Sequence, residues 1–354
     1  MKPVYYICTM AFKDCAEISP ANNFTALRFI LAFTVLLCHL SELSHVPAFH
    51  VFDVYLSSQI AIHGFFVISG FLIYRSYLRQ PDIKPYLSKR IRRILPAYLA
   101  VVVICILGLA ALSSLSVHDY FLSHDLWKYT LANVFTLNFL QPELPGVFTN
   151  NLHLAVNGSL WTIKLELAFY LTLPLLVIVL KKIRIAYVPW IFVLLYVISS
   201  AYVELCEYLY SQSRLTIYEF LQRQLPGKFY YFLSGMILFY FFETFKKYAS
   251  VFFIFSLPLF IAALTFHLHW LVPLPLAVVI IYLALFTPPV FRKLDHHDYS
   301  YGIYLWHFPI IQVFIALHWF DKNLWMMFIV LITCITAVAA LSWYTLELSF
   351  IRKK

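Results

Sequence analysis

Charge is what this sequence has least of. Only 12% of its 354 residues are Asp, Glu, Lys or Arg, about half the roughly 25% of a water-soluble chain. That scarcity excludes the two or three soluble domains this length would otherwise suggest. Cysteine is nearly as uninformative: Cys8, Cys15, Cys38, Cys105, Cys206 and Cys334 form no CxxC pair, and three of them sit inside apolar runs. They read as small hydrophobes, so neither a zinc site nor a disulfide framework is expected, and no metal is implied. A cleaved signal peptide is not expected either, because Lys13, Asp14 and Glu17 interrupt the first short apolar run before any small-residue cleavage site.

What is present is apolar surface: 62% hydrophobic and 19% aromatic residues. Runs near the 20 residues that cross a bilayer recur at 24–43, 57–77, 95–116, 158–179, 186–203, 229–245, 250–266, 270–286, 299–319 and 324–350. The class is an all-α, polytopic integral membrane protein with about ten transmembrane helices. The seventh and eighth runs, separated by His267, Leu268 and His269, fit either two spans or one tight re-entrant hairpin. The polar stretches 116–157 and 204–228 hold Leu, Tyr and Phe throughout and read as interfacial loops. The chain therefore divides into an N-terminal segment 1–23, a transmembrane domain 24–350 and a basic tail 351–354.

The net charge of +9 does not mark a nucleic-acid binder, because its placement follows the membrane. Arg75, Arg79, Lys84, Lys89, Arg90, Arg92, Arg93, Lys181, Lys182, Arg184, Lys246, Lys247, Arg292 and Lys293 fall in alternate gaps, and Lys2, Lys13, Arg352, Lys353 and Lys354 at the ends. The other gaps hold Lys128, Arg214, Arg223, Lys228 and Lys322. Cytoplasmic segments carry the excess of Lys and Arg, so both termini are expected in the cytoplasm.

Within the runs lie Arg28, Lys164, Glu166 and Glu347, with His39, His63 and His307. A charge at the bilayer centre costs about 3 kcal/mol even on a lenient scale, so each is functional, half of a structural ion pair, or a side chain snorkelling to the interface. Arg28 and His39 are eleven positions apart, which returns a helix to within about 20° and separates them by about 16 Å along its axis. That stripe fits a proton relay, a structural seam or a ligand's track; a neutral imidazole is also the commonest general base. Arg90 and Arg93, three apart, share a face if their segment is helical, and a planar guanidinium suits phosphate. The same residues also fit a plain orientation signal or an anchor to anionic lipid.

These segments resemble the membrane-bound acyltransferase-3 family, which includes O-antigen and exopolysaccharide O-acetyltransferases. The Arg-x10-His pattern is matched by Arg28 and His39. Phe65-Phe66-Val67-Ile68-Ser69-Gly70-Phe71 is similar to the FFxxSGF segment, and Arg90-Ile91-Arg92-Arg93-Ile94-Leu95-Pro96 to the RxxRIxP loop. Ser159-Leu160-Trp161-Thr162-Ile163-Lys164-Leu165-Glu166 with Phe169-Tyr170 is similar to LWxLxxE-x-x-FY. Tyr299 to Pro309 is similar to SYxxYLxHxP, and Tyr344-Thr345-Leu346-Glu347 to the aromatic-then-Glu ending. Two departures stand out: Leu348, Ser349 and Phe350 follow Glu347 where many members place proline, and no hydrolase-like extracytoplasmic domain follows within this sequence.

The resemblance implies transfer of an acyl group, usually acetyl, from cytoplasmic acyl-coenzyme A to a hydroxyl of a cell-envelope carbohydrate such as lipopolysaccharide O-antigen or exopolysaccharide. The enzyme would be multi-pass in the inner membrane, among membrane lipid, with a separate extracytoplasmic partner or a second copy where acyl handover needs one. His39 is then the base or an acyl carrier, Glu166 orients it or binds the acceptor, and Arg28, Arg90 and Arg93 hold the donor. Ser69 and Gly70 fit close helix approach better than nucleophilic attack. Trp161 and Tyr304 suit packing or a sugar face. His307, counted from the cytoplasmic start of its run, fits a donor-side or structural role, and Glu347 is carried over from the last motif. Competing readings are a succinyl donor, a lipid acceptor, or a transporter that moves acyl groups or lipid-linked glycan without covalent change.

Overall fold

A computed structural model describes residue 18, residues 21–290 and residues 297–352. Much of the N-terminal segment, the basic pair Arg292 and Lys293, and the tail residues Lys353 and Lys354 lie outside the described residues. The α-helices in chain order are α1 (Phe24–Ser44), α2 (His50–Tyr55), α3 (Ser58–Arg79), α4 (Ile83–Gly108), α5 (Val117–Leu122), α6 (His124–Val134), α7 (Trp161–Lys182) and α8 (Val188–Ser213). They continue as α9 (Ile217–Gln222), α10 (Leu225–Tyr240), α11 (Phe242–Lys247), α12 (Ala249–Thr265), α13 (Pro273–Leu285), α14 (Ser300–Ala316), α15 (Leu324–Ser342) and α16 (Leu348–Arg352). The described residues contain no strand.

Each apolar run is occupied by a helix. Among the described residues six helical stretches are long and apolar enough to cross a membrane, beginning at Phe24, Ser58, Ile83, Gly158, Ile185 and Leu324, and α12, α13 and α14 are shorter apolar helices. The seventh and eighth runs are two helices packed on each other, with His267 in the left-handed region at φ 55° where the chain turns between them. Large apolar side chains face outward, as with Val197 at 55% and Phe255 at 70% exposure, which a water-soluble surface would bury and a bilayer accepts. This is an all-α polytopic membrane protein.

Three boundaries differ from the sequence reading. The basic segment before Pro96 is the first part of α4 rather than a loop, so Arg90 and Arg93 do share a helix face. Helix α8 runs on to Ser213, because Leu205, Cys206, Tyr208 and Leu209 keep an apolar period past Glu204. The last run is broken by a π-helical turn, Trp343–Glu347, before α16; such turns insert one residue into the helical register.

The chain forms two compact units, each drawn from separate stretches of sequence. In the unit holding residues 62–87 and 165–292, glycines let α3 and α10 meet backbone to backbone. A Cβ on Gly70 would stand 1.9 Å from the Phe232 carbonyl oxygen, and one on Gly235 would stand 2.2 Å from that of Val67. Phe169 stacks on Phe232 beside this crossing with centroids 4.7 Å apart. His63 is buried and stacks on Tyr231 at 3.7 Å.

The other unit, residues 28–61, 88–164 and 293–354, is organised around α14. Proline 309 lies inside that helix and has no N–H to give the carbonyl four residues earlier. That carbonyl, on Leu305, instead accepts Asn157 Nδ2 at 2.9 Å. Further along, Gln312 donates to the carbonyls of His153 at 2.6 Å and Ala155 at 2.9 Å. The 116–157 connector carries α5 and α6, and its end is thereby pinned to α14.

Candidate active site

Helix α1 sends Arg28 and His39 to the same neighbouring segment. Arg28 Nη2 lies 2.9 Å from Asp298 Oδ2, and His39 Nδ1 lies 2.8 Å from His307 Nε2. Both partners rise in number in the same order as the residues they meet, so α1 and the start of α14 run side by side in the same direction. Phe29 against Tyr299, with ring centroids 4.9 Å apart, packs the seam near its Arg28 end.

At that end one carboxylate serves two guanidinium groups. Arg93 Nη2 also lies 2.9 Å from Asp298 Oδ2, while Ser300 Oγ donates to Oδ1 at 2.6 Å. Burial alone would raise the Asp298 carboxyl, but the charges of Arg28 and Arg93 overcome it and hold the group at about 2. Glu347 lies within electrostatic reach of Arg93 and Asp298 as well. Arg90 stands one turn earlier on α4, half-buried. The sequence reading named all three arginines and missed Asp298, which no local pattern marks.

At the other end His307 is fully buried and His39 only partly so. His307 Nδ1 faces the Ile303 carbonyl at 3.1 Å. Phe308 packs edge-on to His39 at 5.4 Å. Among the described residues the other ring nitrogen of His39, Nε2, has no hydrogen-bond partner. His307, read from the sequence as donor-side or structural, lies on α14 with its Nε2 against His39.

The segment before α7 joins this arrangement. Asn157 Oδ1 caps the turn Gly158–Leu160 by accepting Ser159 N and Ser159 Oγ, which sets Trp161 at the start of α7. Tyr304 OH meets Thr162 Oγ1 at 2.8 Å and donates to Ser159 O at 3.1 Å. Gly158 lies against the Phe308 ring, where a Cβ would stand 2.8 Å away. Lys164 Nζ lies 4.3 Å above the Phe139 ring.

Glu166, in the unit with residues 165–292, accepts a hydrogen bond from Tyr170 one turn on. Ser69 and Gly70 are at the α3–α10 crossing. Glu347 is buried in the π-helical turn, with Ser342 Oγ 3.4 Å from Oε1 and no partner for Oε2 among the described residues.

An open cavity of about 490 Å3 lies at the C-terminal end of α1. Cys38, Ser41, Glu42, His45, His50 and Asp53 contribute to its wall.

A family model described as an acyltransferase domain matches residues 22–345. An O-acetyl transferase of Shigella phage Sf6 is 31% identical over 162 residues, 46% of this chain and about half, 47%, of that protein. Nodulation protein 10 of Rhizobium leguminosarum bv. viciae is 26% identical over 353 residues, 92% of each chain. No solved structure matches. A family match across nearly the whole chain means that this chain belongs to the membrane-bound acyltransferase-3 family.

Proposed function

We propose that this protein is a multi-pass O-acyltransferase of the inner membrane that moves an acyl group, acetyl first among candidates, from cytoplasmic acyl-coenzyme A to a hydroxyl of an extracytoplasmic envelope carbohydrate. The observation that carries this reading is His39, held through Nδ1 by His307 at 2.8 Å with Nε2 unbonded. A ring fixed at one nitrogen and open at the other is the form a general base takes. The printed name of the phage relative, an O-acetyl transferase, supports the same chemistry.

The step balances on these groups. His39 Nε2 takes the proton of the acceptor hydroxyl as its oxygen attacks the thioester carbonyl. The C–S bond breaks, an ester forms, and the departing thiolate receives that proton. The guanidinium groups of Arg28 and Arg93, held by Asp298, with Arg90 a turn away, suit the anionic nucleotide end of the donor. The surplus of Lys and Arg in alternate gaps supports a cytoplasmic placement for that cluster. His39 and the cavity at the end of α1 then lie toward the outer face, where the carbohydrate arrives. Mass spectrometry of envelope glycans from cells with and without the gene tests the reading. A fixed mass difference of one acyl group per modified unit is expected, and identical glycans would overturn it.

A further inference from the structure

We infer that His307 is a positioning residue that fixes the tautomer of His39, keeping a proton on Nδ1 so that Nε2 meets the acceptor hydroxyl unprotonated. The inference rests on the reading of His39 as the base and adds what sets that base's protonation pattern.

The Ile303 carbonyl oxygen lies 3.1 Å from His307 Nδ1, so a hydrogen bond there needs the proton on Nδ1. A neutral imidazole carries one ring proton, which leaves His307 Nε2 as an acceptor. That nitrogen faces His39 Nδ1 at 2.8 Å, so His39 Nδ1 is the donor and His39 Nε2 holds the free lone pair. The ring planes differ by 10° and the centroids are 5.1 Å apart. This is the spacing of two coplanar imidazoles joined edge to edge, where the lone pair of one points along the N–H of the other.

The other protonation states fit less well. With the proton of His307 on Nε2, its Nδ1 lone pair would confront the Ile303 carbonyl lone pair across 3.1 Å. A doubly protonated His307 would be a fully buried cation, and among the described residues no carboxylate bonds either ring. An unpaired buried charge of that kind is costly. The arrangement has the logic of a base oriented by a third group, with an imidazole and a backbone carbonyl where other enzymes use a carboxylate. During transfer His39 gains its second proton at Nε2, and the Nδ1–H bond to His307 strengthens as the ring becomes cationic.

Two substitutions and one spectrum test it, using the full chain in detergent or proteoliposomes with labelled acetyl-coenzyme A and isolated glycan. His307→Leu removes the acceptor at similar volume; kcat is expected to fall about 10²–10³-fold while KM for the donor stays within about threefold. His307→Gln, whose amide oxygen accepts a hydrogen bond, is expected to recover at least about tenfold of that loss. A His307→Leu protein with kcat within about threefold of wild type, or a His307→Gln loss as deep as that of His307→Leu, overturns the inference. Should His307→Leu fail to fold, ¹⁵N NMR of histidine-labelled wild-type protein decides: protonated Nδ1 on His39 supports it, and protonated Nε2 on the neutral ring overturns it. A fully active His39→Ala would instead defeat the base reading itself, whatever the His307 variants do.

Discussion

Arg28 and Asp298, 270 positions apart in the sequence, share a 2.9 Å ion pair, and the same carboxylate oxygen takes Arg93 at the same distance. One buried acid thus ties the first helix to α4 through two motif arginines. It positions both guanidinium groups.

Asp298→Asn should leave the two arginines facing each other and destabilise the protein by about 3 kcal/mol near neutral pH. The carboxyl is held at about 2 against an ordinary 3.8. A depressed value means that its contribution is fully present above 3.8 and is lost as pH falls toward 2. Thermal unfolding in detergent should therefore show a wild-type advantage over Asp298→Asn that is constant at higher pH and shrinks below 3.8. A gap that persists unchanged into acid would remove Asp298 from this role.

Arg93→Lys keeps a charge and loses the planar fork. We expect KM for the acyl-coenzyme A donor to rise about tenfold, with a smaller change in KM for the glycan. Arg90→Gln should act in the same direction without the loss of stability expected at Asp298. Steady-state kinetics with each substrate varied in turn makes the comparison; equal effects on both substrates would argue for a structural role.

Gly70→Val should be disruptive, because even a Cβ would stand 1.9 Å from a backbone oxygen that cannot move aside. Overpacking of this kind costs about 1–3 kcal/mol or more. Ser69→Ala, by contrast, should retain activity within about threefold. An inactive, well-folded Ser69→Ala protein would reopen a serine nucleophile.

Asn157→Ala removes both the cap on the 158–160 turn and the donor to the Leu305 carbonyl. A buried carbonyl left unpaired costs about 1–3 kcal/mol. Since Leu305 lies two residues from His307, kcat should fall along with the melting temperature. A stable, fully active variant would show that the prolyl break in α14 does not need this bond.

The helices were readable because a bilayer forces long apolar runs and few charges, and each of the ten runs holds a helix. Arg28, His39, Arg90 and Arg93 were readable as polar groups at helical spacing. Their partners were not. Asp298 follows Lys293, Leu294, Asp295, His296 and His297 in a polar stretch, where nothing local marks it as the partner of Arg28 and Arg93. That His307 meets His39 was equally unmarked, because it depends on how α1 and α14 align side by side. Nor does the sequence mark that Glu166 accepts a hydrogen bond from Tyr170, four residues on along its own helix. A sequence shows which side chains are costly in a membrane more readily than it shows which of them meet.

The most direct test of the account is the initial rate of ester formation on isolated glycan from labelled acetyl-coenzyme A, by reconstituted wild-type and His39→Ala proteins of matched thermal stability. The account predicts ester label with wild type and a loss of about 10²-fold or more with His39→Ala. A His39→Ala protein that transfers label at the wild-type rate would contradict it.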